Sequence, residues 1–181
     1  IQRAINAGVK VIEHGHLMDE PTAEMMARKG IWLSFQPFTD NDSATPLAPA
    51  NRARLMQVIA GTERTIALAK KHKIKMAFGT DLLFSPVAAS QQASELGKMS
   101  KWYTAPELLV MATGTNGELL KLSGPRDPYP GKLGVVEEGA LADLLLVDGN
   151  PLENLRIVED PARNYVVIMK DGRIHKNTVP K

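Results

Sequence analysis

Val9-Lys10-Val11-Ile12-Glu13-His14-Gly15-His16-Leu17-Met18-Asp19 reads as a short strand that stops abruptly. Apolar and polar residues alternate as far as Glu13, and then side chains with ligand atoms follow, interrupted by a glycine. Chemistry placed where a strand ends and a loop begins is characteristic of alternating strand–helix architectures. A second stretch of the same design lies downstream, Ala77-Phe78-Gly79-Thr80-Asp81.

Working outward from these two strand ends gives the organisation of the chain. Ile1 to Gly8 reads as the end of an amphipathic helix with Gly8 at its C-cap, so the chain is expected to open within a helix and to be a piece of a longer polypeptide. Glu20-Pro21-Thr22 opens a helix that runs to Lys29 and ends at Gly30. Ile31 to Phe35, rich in β-branched and aromatic residues, forms a strand. A long loop, Gln36 to Ala50, follows; connections of that length are usually functional, and this one is expected to contact substrate. Asn51 is expected to cap a helix to about Lys73, with Leu55, Val58, Ile59, Ile66 and Leu68 on one face and Gly61 as a break. Lys75 to Phe78 is a third strand, and Ser85-Pro86, Thr104-Ala105-Pro106-Glu107 and Thr115-Asn116 each open a further helix. From Ser123 the texture changes to a turn-rich linker, then to β segments at Leu141 to Val147 and Tyr165 to Lys170, the latter turning at Asp171-Gly172. Alternating strands and helices predict an α/β fold with a parallel sheet over residues 1–123, followed by a small β module over 124–181.

Composition narrows the function classes. The 181 residues are 44% hydrophobic and 23% charged, ordinary for a globular protein. With 22 basic against 20 acidic residues, the net charge of +2 supplies no field to steer the chain to nucleic acid or an anionic membrane. The absence of cysteine rules out disulfides and thiolate metal sites. No apolar run approaches the roughly 18 residues of a membrane helix. The expectation is a soluble protein, with cytoplasm, periplasm and secretion all open. Gly-rich phosphate loops, serine nucleophile elbows and basic–aromatic nucleic-acid motifs are absent.

Two side chains stand out by position. His14, beside Gly15 at a strand end, suits a metal ligand or a hydrogen-bonded structural imidazole, and one histidine specifies neither. Asp81, at the corresponding end of another strand, suits a metal ligand and proton acceptor, or a helix cap. Occurring together at one rim of a parallel sheet, the pair favours the functional reading. His16, Thr80 and Gln36 are candidates for contact with substrate or for support of the ligands. Asp19 and Glu20 read as helix-start charges, His72 as a solvated residue at a lysine-rich helix end, and His175 as a member of the β module.

Several motifs resemble one family. Ala4 to Gly15, AINAGVKVIEHG, resembles the helix and sixth strand of the amidohydrolase superfamily, in its imidazolonepropionase-like and prolidase-like branch. Phe78 to Asp81, FGTD, is similar to the end of that family's eighth strand, and Leu133 to Leu152 with Val167 to Arg173 resembles the closing part of its small β-sandwich. The resemblance implies the C-terminal part of a TIM-type (β/α)8 barrel, strands 6 to 8 with their helices, plus part of a β-sandwich domain. It also implies a metal-dependent hydrolase that cleaves C–N bonds in small amides, cyclic amides or dipeptides through a metal-activated water. Asp81 would then bind metal and act as general base, and His14 would bind metal or, with a single ion present, polarise the substrate. One or two divalent ions are implied, zinc first. His14-Gly15-His16 also matches the H-x-H of a first barrel strand, but only 67 positions separate His14 from Asp81, room for one intervening strand and not six. The family's remaining ligands, the strand-one H-x-H, a strand-four lysine and a strand-five histidine, would precede Ile1. Two ligands fall short of the three that catalytic zinc takes. The isolated chain is therefore expected to be inactive, requiring the N-terminal half of the same protein, or a homo-oligomer, to cover its open sheet edges. The alternatives are a noncatalytic fragment or assembly module that pairs with a companion chain, and a complete protein with a new site built from His14, His16 and Asp81.

Overall fold

The structure, a computed structural model, describes residues 1–39, 48–82 and 86–180. It divides into two compact units, Ile1–Thr80 and Asp81–Lys181.

The first unit is a strand–helix alternation. Helix α1 (Gln2–Asn6) leads through Gly8, at φ +97°, into strand β1 (Val11–Glu13). Helix α2 (Glu20–Lys29) begins where the Asp19 carboxylate accepts the Thr22 N–H at 3.1 Å, and it ends at Gly30 in the left-handed conformation that glycine adopts without steric cost. Strand β2 (Trp32–Phe35), helix α3 (Pro49–Lys71) and strand β3 (Met76–Phe78) complete it. The three strands form a parallel sheet in the order β1-β2-β3, with Val11 opposite Trp32 and Leu33 opposite Met76. All four residues of the central strand are buried, as expected for a parallel strand covered on both faces. Leu33, Phe35, Met26, Met18 and Ile66 form the heart of the core. Burying a side chain such as Leu33 contributes about 1.5–3 kcal/mol.

Two expectations for α3 are corrected. The helix starts at Pro49, capped by Ala48, and not at Asn51, because proline at the first helical position is pre-set for the helix and lacks the N–H that would go unpaired there. Gly61 does not break it. The helix runs unbroken to Lys71, and a Cβ on Gly61 would lie 2.0 Å from the His16 carbonyl oxygen in the loop after β1. Most of the tip of the loop that precedes α3 lies outside the described residues.

In the second unit, helices α4 (Pro86–Ser90) and α5 (Gln92–Lys98) precede α6 (Ala105–Val110). The Glu107 carboxylate accepts hydrogen bonds from both the backbone N–H and the hydroxyl of Thr104 at the start of α6. Helix α7 (Asn116–Leu120) begins at Asn116 with Thr115 at its N-cap, as expected, but it does not start from a loop. A single π turn, Met111–Thr115, carries α6 directly into α7, and Thr115 itself is helical at φ −65°. Strands β4 (Leu144–Val147), β5 (Tyr165–Lys170) and β6 (Arg173–Asn177) form an antiparallel sheet, with a short helix α8 (Pro161–Asn164) before β5. Asp171 and Gly172, both at positive φ, make the β5–β6 turn.

The compact units divide at Thr80/Asp81, whereas the change of sequence texture falls at residue 123. Packing explains the difference. A Cβ on Gly97 of α5 would lie 2.0 Å from a Glu159 carboxylate oxygen, and one on Gly117 of α7 would lie 2.4 Å from the Leu133 carbonyl. Helices before residue 123 therefore pack directly on the segment after it.

Candidate functional site

The loop after β1 begins with strain. The Gly15 N–H donates to the Glu13 carbonyl at 2.9 Å across His14, whose φ is +67°. This is a γ-turn of the rare positive-φ kind, and it sits on a side chain with a Cβ. Non-glycine residues held in this region cost on the order of 1–3 kcal/mol and persist only where the surroundings over-determine them. The His14 N–H still donates to Ser34 at 2.9 Å, so the residue ends the β1–β2 ladder and turns out of it in one step. Its side chain is exposed.

His16 behaves differently. It is 4% exposed, and its Nε2 lies 2.8 Å from the Gln36 carbonyl. A carbonyl oxygen only accepts, so Nε2 carries the proton and Nδ1 the lone pair. Burial, reinforced by His14 nearby, pushes the His16 pKa below the usual histidine value, against the raising effect of the Gln36 carbonyl. The ring stacks on Phe35 at 4.6 Å between centroids and leans on Phe38 at 4.9 Å. His14 lies nearly parallel to Phe38 at 6.1 Å. A cavity of about 380 Å³ opens beside these rings, lined by His14, Gly15, His16, Leu17, Phe38 and Val58 together with Ile1. That volume falls within the range of small-molecule sites, and most of the lining residues are apolar.

Gln36 is 6% exposed, and its Oε1 is buried without a hydrogen-bond partner. Leaving such a group unpaired costs about 1–3 kcal/mol. The amide rests on Gly79, where a Cβ would come within 2.8 Å of Gln36 Nε2. Thr80 is half-buried, and Asp81 is exposed at φ +54°. Among the described residues, four that are not glycine have positive φ: His14, Lys73, Asp81 and Asp171. Lys73 lies just past the end of α3 and Asp171 in a hairpin turn, both ordinary places for that conformation. The other two are the metal-ligand candidates of the sequence.

Both have donor chemistry that suits a divalent ion, an imidazole nitrogen and a carboxylate oxygen on exposed side chains. They fit as part of a ligand set, since neither belongs to a group of three such donors among the described residues. The group that does form, Glu20, Glu24 and His72, went unrecognised in the sequence. His72 is not solvated as expected but half-buried, with Nε2 2.5 Å from the Glu20 carboxylate, which also holds Lys71 at 2.6 Å. With an ammonium already on Glu20, this cluster reads as an ion-pair tie between α2 and the end of α3. The i, i+4 spacing of Glu20 and Glu24 was its one sequence signal.

The profile of the Amidohydrolase family matches residues 1–176. Ochratoxinase from Aspergillus niger is 29% identical over 182 residues, covering 97% of this chain and 36% of the enzyme. A crystal structure of an amidohydrolase superposes with a TM-score of 0.82 at 32% identity, over 98% of this chain and 42% of that one. A prolidase complexed with N-methylphosphonate-L-proline superposes with a TM-score of 0.81 at 28% identity, over 97% and 42%. The chain thus spans about two-fifths of the length of these relatives.

Proposed function

The chain belongs to the amidohydrolase family, and on that premise we propose that it is the C-terminal part of a metal-dependent hydrolase acting on C–N bonds of small amides or dipeptides. The observation that carries this reading is the pair of strained, exposed donors, His14 and Asp81, each just beyond a parallel strand. In this reading β1, β2 and β3 correspond to barrel strands 6 to 8, and residues 124–181 supply part of a β-sandwich. His14 and Asp81 would hold a divalent ion, zinc first, together with ligands from the remainder of the protein. Such an ion polarises water and the scissile carbonyl. The Asp81 carboxylate takes the proton released as water adds to the carbonyl carbon, and passes it to the nitrogen as the C–N bond breaks. His16, locked with Nε2 on the Gln36 carbonyl, walls the cavity, and the unpartnered Gln36 Oε1 with Thr80 would meet polar groups of the substrate.

The apolar side chains left exposed on the small sheet, Leu145 and Leu146 at 54% each and Ile174 at 50%, support a companion surface from the rest of the same protein. The same observation favours one second reading, a noncatalytic module that assembles through this face. In the full-length protein loaded with zinc and offered N-acyl amino acids and dipeptides, Asp81→Asn should lower kcat by roughly 10²–10⁴-fold. His14→Ala should reduce bound zinc. Wild-type turnover in Asp81→Asn overturns the catalytic reading, and a metal-free, stable homo-oligomer establishes the second.

A further inference from the structure

Helix α3 touches the functional rim in three places. The Thr65 hydroxyl donates to the Gly15 carbonyl at 3.1 Å, and the Thr62 hydroxyl to the Phe38 carbonyl at 3.2 Å. Gly61, just before Thr62 in the helix, passes so near that a Cβ would lie 2.0 Å from the His16 carbonyl oxygen. Thr65 is 0% exposed, so its hydroxyl has no water to fall back on. A β-branched hydroxyl residue gains nothing for the helix itself, where alanine would serve better. The bond must be explained by what it holds.

It holds the γ-turn. His14 and Gly15 both have positive φ, +67° and +65°, and a turn of that kind relaxes unless its flanks are fixed. The Gly15 carbonyl is fixed twice, by the Met18 N–H at 2.9 Å within the loop and by Thr65 from outside it. Gly61 seats the helix on the next carbonyl, that of His16, so the turn cannot move toward α3. We propose that Thr65, seated by Gly61, is a positioning residue that holds the His14 imidazole in place by pinning the Gly15 carbonyl. The proposal rests on the reading of His14 as a metal ligand. Groups that orient metal ligands typically change metal affinity by 10–100-fold when removed.

The test uses the full-length protein with Thr65→Val, which keeps the shape and removes the hydroxyl, and Thr65→Ser, which keeps the hydroxyl. Thr65→Ala is the second hydroxyl-free variant should valine prevent folding. Amide hydrogen exchange at residues 14–18 should accelerate about 10-fold or more in Thr65→Val while the amides of β4 to β6 stay unchanged, a pattern that general destabilisation does not give. Zinc affinity by chelator competition should fall about 10–100-fold, with kcat reduced and KM unchanged, and Thr65→Ser should restore all three. Unchanged exchange at residues 14–18, unchanged zinc affinity, or a serine variant that behaves like valine overturns the proposal. If His14→Ala itself leaves zinc affinity unaltered, the reading of His14 as a ligand falls, and the exchange pattern alone then decides whether the clamp exists.

Discussion

Gly61→Ala sets two well-characterised effects against each other. In an exposed helix interior the change stabilises by about 0.8–1 kcal/mol, because alanine is the better helix former. Here the added methyl would sit 2.0 Å from the His16 carbonyl oxygen and 2.8 Å from its carbon, and both are backbone atoms with no rotamer to yield. Helix and loop must separate by about 1 Å or more, which costs about 1–3 kcal/mol as overpacking. The same separation stretches the Thr65–Gly15 and Thr62–Phe38 hydrogen bonds, each contributing about 0.5–1.5 kcal/mol. The sum exceeds the propensity gain, so Gly61→Ala should lose about 1–5 kcal/mol net, the upper end if both hydrogen bonds are lost outright. Gly97→Ala is the control. Its methyl would meet Glu159 Oε1 at the same 2.0 Å, but that atom is the tip of a flexible side chain. Rotation of the glutamate removes the clash, and the change should be neutral or stabilise by up to about 1 kcal/mol. Urea unfolding reads both, since Trp32 lies in the first unit and Trp102 in the second, and each reports its own unit once the other is replaced by phenylalanine. Gly61→Ala at or above wild-type stability, or equal losses in the two variants, would refute the reasoning.

Two further outcomes follow from the ion pairs and caps. Lys71 and His72 hold the Glu20 carboxyl below the usual glutamate range. A depressed carboxylate adds stability above its unfolded pKa and loses it as pH falls through the folded value. Glu20→Gln should therefore melt below wild type at neutral pH, with the gap closing as pH drops below the ordinary glutamate range, and a gap that persists in acid would contradict the tie between α2 and α3. Thr104→Ala removes a hydroxyl that donates to Glu107 at 2.8 Å and should cost about 0.5–2 kcal/mol in urea unfolding of the second unit; unchanged stability would show that the α6 cap rests on the backbone N–H of Thr104 alone.

Local chemistry explains which features were legible in the sequence. Pro21, Gly30 and the Asp171-Gly172 pair mark their positions by conformational preference alone, so helix α2 and the β5–β6 hairpin could be placed from residue types. The three-strand alternation was visible because each strand is short, apolar and bounded by a glycine or a cap. Gly61 misled because its role lies across space. In sequence a helical glycine reads as a weak point, whereas in the fold it is the one residue type that lets α3 rest on the His16 carbonyl. The helix start at Thr115-Asn116 was legible, but not the π turn that joins it to α6, where the Thr113 hydroxyl bonds to the Leu109 carbonyl at 2.6 Å and the backbone of Gly134 packs against Thr113. His72 looked solvated because its partner, Glu20, is 52 residues away in the chain.

The candidate site presents a different case, because residue type and backbone geometry select His14 and Asp81 independently. The sequence singled them out as ligand-type side chains at strand ends, with no knowledge of dihedral angles. Among the described residues, the backbone shows both as non-glycine residues at positive φ outside the helix ends and hairpin turns. Glycine would make either turn without strain, as Gly30 and Gly172 do in theirs. Strain accepted at these two positions, one of them held by Thr65 and Gly61, supports the proposed roles of the imidazole and the carboxylate. The same φ values would favour glycine if only the turn mattered, and that is the argument for testing the two side chains by substitution.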